Sequence, residues 1–163
     1  MSTPVPGLKI AILTCSDTRT ADDDTAGRAL MELAEADGHS IVAYEVVPDS
    51  RALIADMLIR MADDDCADVI ITCGGTGLSP RDVTPEATRD VSERVVPGIA
   101  EYLRAQSLLI TGRAMLSRAT AVQRGTTLII NFPGSEKAAR ESFGFIASQL
   151  DHAAKMAAGG GHG

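Results

Sequence analysis

The groups that could do chemistry in this chain of 163 residues are concentrated in one run: Gly74-Gly75-Thr76-Gly77-Leu78-Ser79-Pro80-Arg81-Asp82-Val83-Thr84-Pro85-Glu86-Ala87. Three glycines and a threonine leave backbone N–H groups bare, so a phosphate can approach them closely. The run is not a Walker A loop, because no Gly-Lys-Ser/Thr follows at the required spacing. It is not the dinucleotide G-x-G-x-x-G either, because Pro80 stands where the third glycine belongs. Taken alone, Gly74 to Gly77 fit a phosphate cradle and a tight strand-to-helix turn about equally well.

Two carboxylates accompany this turn. Thr84 fits the N-cap of a helix whose first residue is Pro85, which leaves Asp82 free of capping duty. Asp49 follows Val47-Pro48 and precedes a helix, so by itself it reads as a cap before it reads as a catalyst. Two acids beside a phosphate-type turn suit Mg²⁺, which is usually held by one or two carboxylates plus substrate phosphates. Glu86 reads either as a third acid or as a partner of the helix dipole. Nucleophilic side chains are poorly represented. His39, His152 and His162 do not end strands, so a Ser-His-Asp or Cys-His catalyst is not expected. Cys15 and Cys73 end apolar runs and read as core residues. Ser117-Arg118 could bind an anion, but one such pair is weak evidence. Phosphoryl or nucleotidyl transfer suits this inventory, because it needs positioning and charge neutralisation rather than a covalent intermediate.

The elements that must position these residues alternate along the chain. Strands are expected at 8–14, 41–47, 68–73 and 126–131. Helices are expected at about 25–37, 50–62, 85–95, 97–107 and 136–157. The strands are continuously apolar, so the sheet is covered on both faces. Their alternation with helices predicts an α/β/α sandwich with a mainly parallel sheet. Ligands then sit beyond the carboxyl ends of the strands, where Ser16, Asp49, Gly74 and Asn131 fall. Residues 1–7 and the Gly-rich tail 158–163 are expected to be flexible flanks of a single domain, 8–157.

Composition narrows the function. A chain this long can bury a core without disulfides, since roughly 70% of its unfolded surface is lost on folding, but it is too short for a TIM barrel of roughly 250 residues. Only 3% of residues are aromatic and none is Trp, so the core must be aliphatic and base-stacking platforms are missing. Fifteen Lys and Arg face 22 Asp and Glu, a formal charge of −7, which argues against nucleic acid as a partner. A small phosphate ligand remains compatible, because backbone amides and helix N-termini supply a local positive field. Three cysteines without a C-x-x-C pair, no apolar run of membrane-spanning length and no signal-peptide pattern point to a reduced, cytoplasmic domain without a membrane span.

The 74–87 run resembles the signature of the molybdopterin adenylyltransferases and their short bacterial relatives, the MogA/MoaB family, similar also to the G domains of gephyrin and its plant counterpart. Further matches are Ser16-Asp17-Thr18, Val47-Pro48-Asp49, Ala114-Met115-Leu116-Ser117-Arg118-Ala119 and Thr127-Leu128-Ile129-Ile130-Asn131-Phe132-Pro133-Gly134-Ser135. They occur in the family's order over about residues 8 to 155. The resemblance implies a three-layer α/β/α fold with a mixed, mainly parallel sheet, and a homotrimer or a hexamer of two trimers. It implies molybdenum cofactor biosynthesis by Mg²⁺-dependent adenylylation of molybdopterin from ATP. The products are adenylyl-molybdopterin and pyrophosphate, and a partner enzyme inserts molybdate next.

By the same resemblance, Asp49 and Asp82 match the two acids the family needs and would hold Mg²⁺. Gly74, Gly75, Thr76 and Gly77, with Asn131, Pro133 and Gly134, would bind the nucleotide. Ser16, Asp17, Ser107, Ser117 and Arg118 match positions associated with molybdopterin. The sequence departs from the family at Ala26, where a serine is usual, and at Val122, where a glycine is usual. Both departures are expected to bear on pterin affinity more than on nucleotide binding. The alternative is a molybdopterin-binding or scaffold protein of the same pathway without efficient transfer.

Overall fold

The computed structural model describes residues 7–160. Most of the two expected flexible flanks, residues 1–6 and 161–163, lies outside the described residues. Six strands form one sheet: β1 (Lys9–Cys15), β2 (Ser40–Val47), β3 (Val69–Cys73), β4 (Arg94–Val95), β5 (Ala121–Arg124) and β6 (Thr127–Phe132). Their order is β2-β1-β3-β6-β5-β4. The first four in that order are mutually parallel; β5 runs antiparallel to β6, and β4 runs antiparallel to β5. The helices are α1 (Thr25–Ala36), α2 (Arg51–Ile59), α3 (Thr84–Asp90), α4 (Pro97–Leu108), α5 (Glu136–Ile146) and α6 (Leu150–Ala157).

Strand alternation sorts the core into two layers. Ile10, Ile12, Ile71 and Ile130 face α1, α4, α5 and α6, whereas Ala11, Leu13, Ile70 and Ile129 face α2 and α3. This is the expected three-layer sandwich with a mixed, mainly parallel sheet, and the strands are buried on both faces as their unbroken apolar character required. Register brings the carboxyl ends level: Cys15 pairs with Val47, Thr14 with Cys73, and Cys73 with Phe132. The strand order reverses direction between β1 and β3, the position where open α/β sheets place a ligand.

Several expected boundaries shift. The helix expected over 85–95 stops at Asp90, and Arg94–Val95 turns into the edge strand β4, paired with Val122 and Gln123. Paired β-branched residues at 95–96 favour extended backbone, and a residue before proline, here Val96, is pushed out of the helical region. β5 was not expected; it joins β6 through the two-residue turn Gly125-Thr126, with Gly125 at φ 56°. α2 gives way to a π turn over Arg60–Asp64 that buries Met61 and Ala62. The long final helix is interrupted by a 3-10 turn at Ala147–Gln149, after which Ala154 rather than Ala153 is the buried alanine. At its end, the Gly159 and Gly160 N–H groups donate to the Met156 and Lys155 carbonyls.

Candidate functional site

The glycine loop after β3 threads between the ends of three other strands. Gly74 and Gly75 have φ of 99° and 71°, which a side chain rarely adopts. Space forbids one as well. A Cβ on Gly74 would lie 2.4 Å from the Cys15 carbonyl oxygen, and one on Gly75 would lie 2.2 Å from Thr84 Oγ1 and 3.3 Å from Asp49 Oδ1. The N–H groups of Gly75, Thr76 and Gly77 donate to no protein acceptor among the described residues. This is the bare amide run that the sequence predicts.

Asp49 is not the helix cap. Ser50 takes that position, and its Oγ accepts from the Leu53 N–H at 3.3 Å. Thr84 is not a cap either: it is the first residue of α3, and Val83 stands at the cap without a side-chain bond. Both residues are thereby released to the site. Asp49 Oδ1 and Thr84 Oγ1 are buried and make no hydrogen bond among the described residues. Both converge on Gly75. An unpaired buried oxygen costs about 1–3 kcal/mol, so two at one glycine mark a place shaped for something other than the chain itself.

Asp17 joins this cluster. Its N–H donates to Asp49 Oδ2 (3.1 Å), and the Asp49 N–H donates back to Asp17 Oδ1 (2.9 Å). Arg81 clamps Asp17 with two bonds, Nε at 2.9 Å and Nη2 at 3.0 Å. The Asp17 carboxyl is held below its usual range, chiefly by the hydrogen bond from Arg81. The Asp49 carboxyl is pushed up, first by burial and then by the charges of Asp17 and Asp82. Asp82 faces Gly77, and its Oδ2 accepts from the Ser79 N–H at 3.1 Å.

Arg118 braces the loop from the other side. Its Nε donates to the Gly77 carbonyl (2.8 Å), Nη2 to the Asp82 carbonyl (2.7 Å) and Nη1 to Glu86 Oε2 (2.6 Å). Glu86, left open by the sequence between third acid and dipole partner, is committed to Arg118, which holds its carboxyl below the usual range. Among the described residues no group of three or more His, Cys, Asp or Glu is arranged to hold a metal by itself. A cation here would therefore rest on Asp49, Asp82, the Thr84 hydroxyl and ligand oxygens, a hard oxygen set that suits Mg²⁺.

On the far side of the loop lies a cavity of about 290 Å³ between α4, α5 and the ends of β3 and β6. Six of the expected site residues line it: Thr76, Gly77, Ser107, Ser117, Asn131 and Pro133. The acids, Gly74, Gly75, Gly134, Ser16, Asp17 and Arg118 do not. Thr76 and Gly77 thus form the wall between the acid cluster and the cavity. Ser16 closes its own turn, accepting from the Arg19 N–H (3.1 Å), while Arg19 Nη1 donates to the Gly134 carbonyl (2.6 Å). Asn131 is buried and its amide is largely spent. It donates to Thr72 Oγ1 (2.9 Å) and Thr88 Oγ1 (3.0 Å) and accepts from the Thr120 N–H (3.1 Å).

Ala26 and Val122, the two departures from the family pattern, are both fully buried in the core and line no part of this cavity. The expected effect on pterin affinity therefore has no direct route through contact. The sequence reading missed Arg104, Thr111 and Arg113, which also line the cavity. Arg104 was detectable, because it lies one helical turn before Ser107 on α4. Arg113 was not, because it sits in a 3-10 turn capped by Thr111 that has no amphipathic period.

The chain is similar to known proteins over most of its length. A family model described as "Probable molybdopterin binding domain" matches residues 11–152. The chain is 40% identical over 152 residues to the molybdenum cofactor synthesis protein cinnamon of Drosophila melanogaster, covering 91% of this chain but only 25% of the fly protein. It is 39% identical over 142 residues to the molybdopterin adenylyltransferase of Helicobacter pylori strain J99, covering 82% of this chain and 78% of that enzyme. Among solved structures, the molybdopterin biosynthesis enzyme MoaB of Thermus thermophilus superposes with a TM-score of 0.86 at 44% identity, covering 93% of this chain and 97% of that one. The chain belongs to this molybdopterin-binding-domain family of molybdenum cofactor biosynthesis proteins.

Proposed function

We propose that the protein transfers the adenylyl group of ATP to molybdopterin. A terminal phosphate oxygen of molybdopterin attacks the α-phosphorus of ATP. The new P–O bond forms as the bond from the α-phosphorus to the bridging oxygen breaks, and pyrophosphate leaves with the electron pair. No proton need move, which agrees with a site that lacks a histidine or a free thiolate. Burial pushes both the Cys15 and the Cys73 thiols up to about 12, so neither is a nucleophile at neutral pH.

The observation that carries this reading is the meeting of Asp49, Asp82 and Thr84 at a glycine loop with bare amides, in a chain 39% identical to a molybdopterin adenylyltransferase. Asp49, Asp82 and the Thr84 hydroxyl would hold Mg²⁺, which when bound neutralises charge on the reacting phosphates. The N–H groups of Gly75, Thr76 and Gly77 hydrogen-bond nucleotide phosphate oxygens. Ser107 and Ser117 offer hydroxyls to the polar edge of the pterin, whose flat faces suit the largely apolar remainder of the cavity. Gly77 touches both compartments and so sets the distance between the two substrates.

The protein assembles as a homotrimer or a hexamer, supported by the exposed apolar residues Leu108, Leu109, Ile110, Met115 and Leu116. Its product passes to an enzyme that inserts molybdate. It works in the cytoplasm, where its nucleotide substrate is. No helix among the described residues is long and apolar enough to cross a membrane. The test is incubation with molybdopterin, ATP and Mg²⁺, following pyrophosphate and adenylyl-molybdopterin together. Absence of both products from folded protein overturns transfer, and titration calorimetry with molybdopterin alone then decides whether the chain is a pterin binder.

A further inference from the structure

A second cavity, of about 300 Å³, opens beside the first and shares Arg104, Ser117 and Ala119 with it. Its other walls are Pro85, Glu86, Arg89 and Arg118. Three guanidinium groups meet one carboxylate there, in a protein whose overall charge is −7. Elsewhere the arginines are mostly neutralised: Arg28, Arg51, Arg60, Arg81, Arg124 and Arg140 each face a carboxylate. In this cavity only Arg118 does, through Glu86. Arg89 makes no side-chain hydrogen bond or ion pair among the described residues. Arg104 uses only Nη1, on the Ala119 carbonyl (2.8 Å) and the Ser117 carbonyl (3.4 Å).

We propose that Arg89, Arg104 and Arg118 form an oxyanion site for inorganic phosphate or pyrophosphate, separate from the glycine loop. Two of the three cations are already fixed. Arg104 is tied to two carbonyls with Nε and Nη2 free, and Arg118 is tied to Gly77, Asp82 and Glu86. Fixed planar forks suit phosphate oxygens, because little side-chain freedom remains to be lost on binding. Ser117 stands between the two cavities, and its Oγ accepts from the Ala119 N–H (3.2 Å). Arg89, exposed on the last turn of α3, completes the charge from the solvent side. A compact anion with several oxygens matches three guanidinium groups that meet in a single cavity. The site stands independently of the transfer reading, although pyrophosphate is the leaving group of that reaction.

The experiment is titration calorimetry of the full chain with inorganic phosphate and, separately, pyrophosphate, both in EDTA so that no divalent cation recruits the anion to the acids. Wild type binds at least one of the two. Arg89→Glu weakens that binding about tenfold or more while keeping the wild-type melting temperature, and Arg104→Gln weakens it as well. Tighter binding of pyrophosphate than of phosphate identifies the leaving group as the ligand, and equal binding identifies a single-phosphate oxyanion. No binding to wild type, or unchanged binding in Arg89→Glu, overturns the proposal. Arg89 has no side-chain bonds to lose, so a misfolded Arg104 variant does not blunt the test. Failure of adenylyl transfer with Arg89-dependent binding intact would count against the proposed reaction alone.

Discussion

Asp49 carries two opposed demands. Burial and the neighbouring charges of Asp17 and Asp82 raise its pKa, yet Mg²⁺ needs the carboxylate. A raised folded pKa means that the folded state holds the proton more tightly than the unfolded chain. The ionised group therefore costs stability above that pKa, and the cost vanishes as pH falls below the unfolded value. Asp49→Asn should lower turnover on the order of 100-fold or more while melting at pH 7 no lower than wild type. Without a divalent cation, the Asp49 carboxyl of the wild type should titrate above the ordinary aspartate range, followed by carbon-13 NMR of the side chain. A variant that melts well below wild type would show that Asp49 is a structural group. Asn131 shows the converse case. The resemblance assigns it to the nucleotide pocket, but the structure spends its amide on Thr72, Thr88 and Thr120. Asn131→Ala should therefore destabilise by about 2–3 kcal/mol through unpaired buried groups, seen as a lowered denaturant midpoint with no nucleotide present. The two acids were legible as a pair from their place after strands. That Asn131 is a cross-brace was not, because its partners come from β3, α3 and the segment before β5.

At the scale of elements, the glycine loop and the first turn of α3 act as one unit. Gly75→Ala forces a positive φ on a residue with a side chain, at about 1–2 kcal/mol, and drives the new methyl onto Thr84 Oγ1. The melting temperature should fall by at least about 2–4 °C. Thr84→Ala removes the oxygen that is struck, so the double variant should melt higher than the sum of the single effects predicts, although the backbone strain and the close Thr84 Cβ and Asp49 Oδ1 remain. Strict additivity would show that the two residues do not meet. The same unit explains what could be read in advance. Glycines followed by Thr84-Pro85 announced a strand, a turn and a helix start, and all three are present. The edge of the sheet was not announced, because β4 has two residues and β5 has four, too short for a period-2 pattern. Pairing rather than propensity makes them strands: β5 is held by β6 across the Gly125-Thr126 turn, and β4 by β5.

Over the whole molecule, charge and apolar surface are segregated. Carboxylates crowd the ends of β1, β2 and β3, and unpaired arginines gather round the two cavities. The end of α4 and the following 3-10 turn expose Leu109 at 81% and Met115 at 72%. A lone exposed leucine needs no explanation, but five large apolar residues within nine positions form a patch of the kind that marks an interface. Light scattering after size exclusion should give a mass of three chains, or six, for the wild type. Leu109→Asp with Met115→Asp places charge in the patch and should shift that mass towards the 17.0 kDa of one chain. The circular dichroism spectrum should be preserved, because neither side chain belongs to either core layer. A monomeric wild type, or an unchanged mass in the double variant, would leave the patch without this role. Both patch residues flank Thr111, Arg113 and Ser117 of the first cavity, so dissociation should also weaken molybdopterin binding.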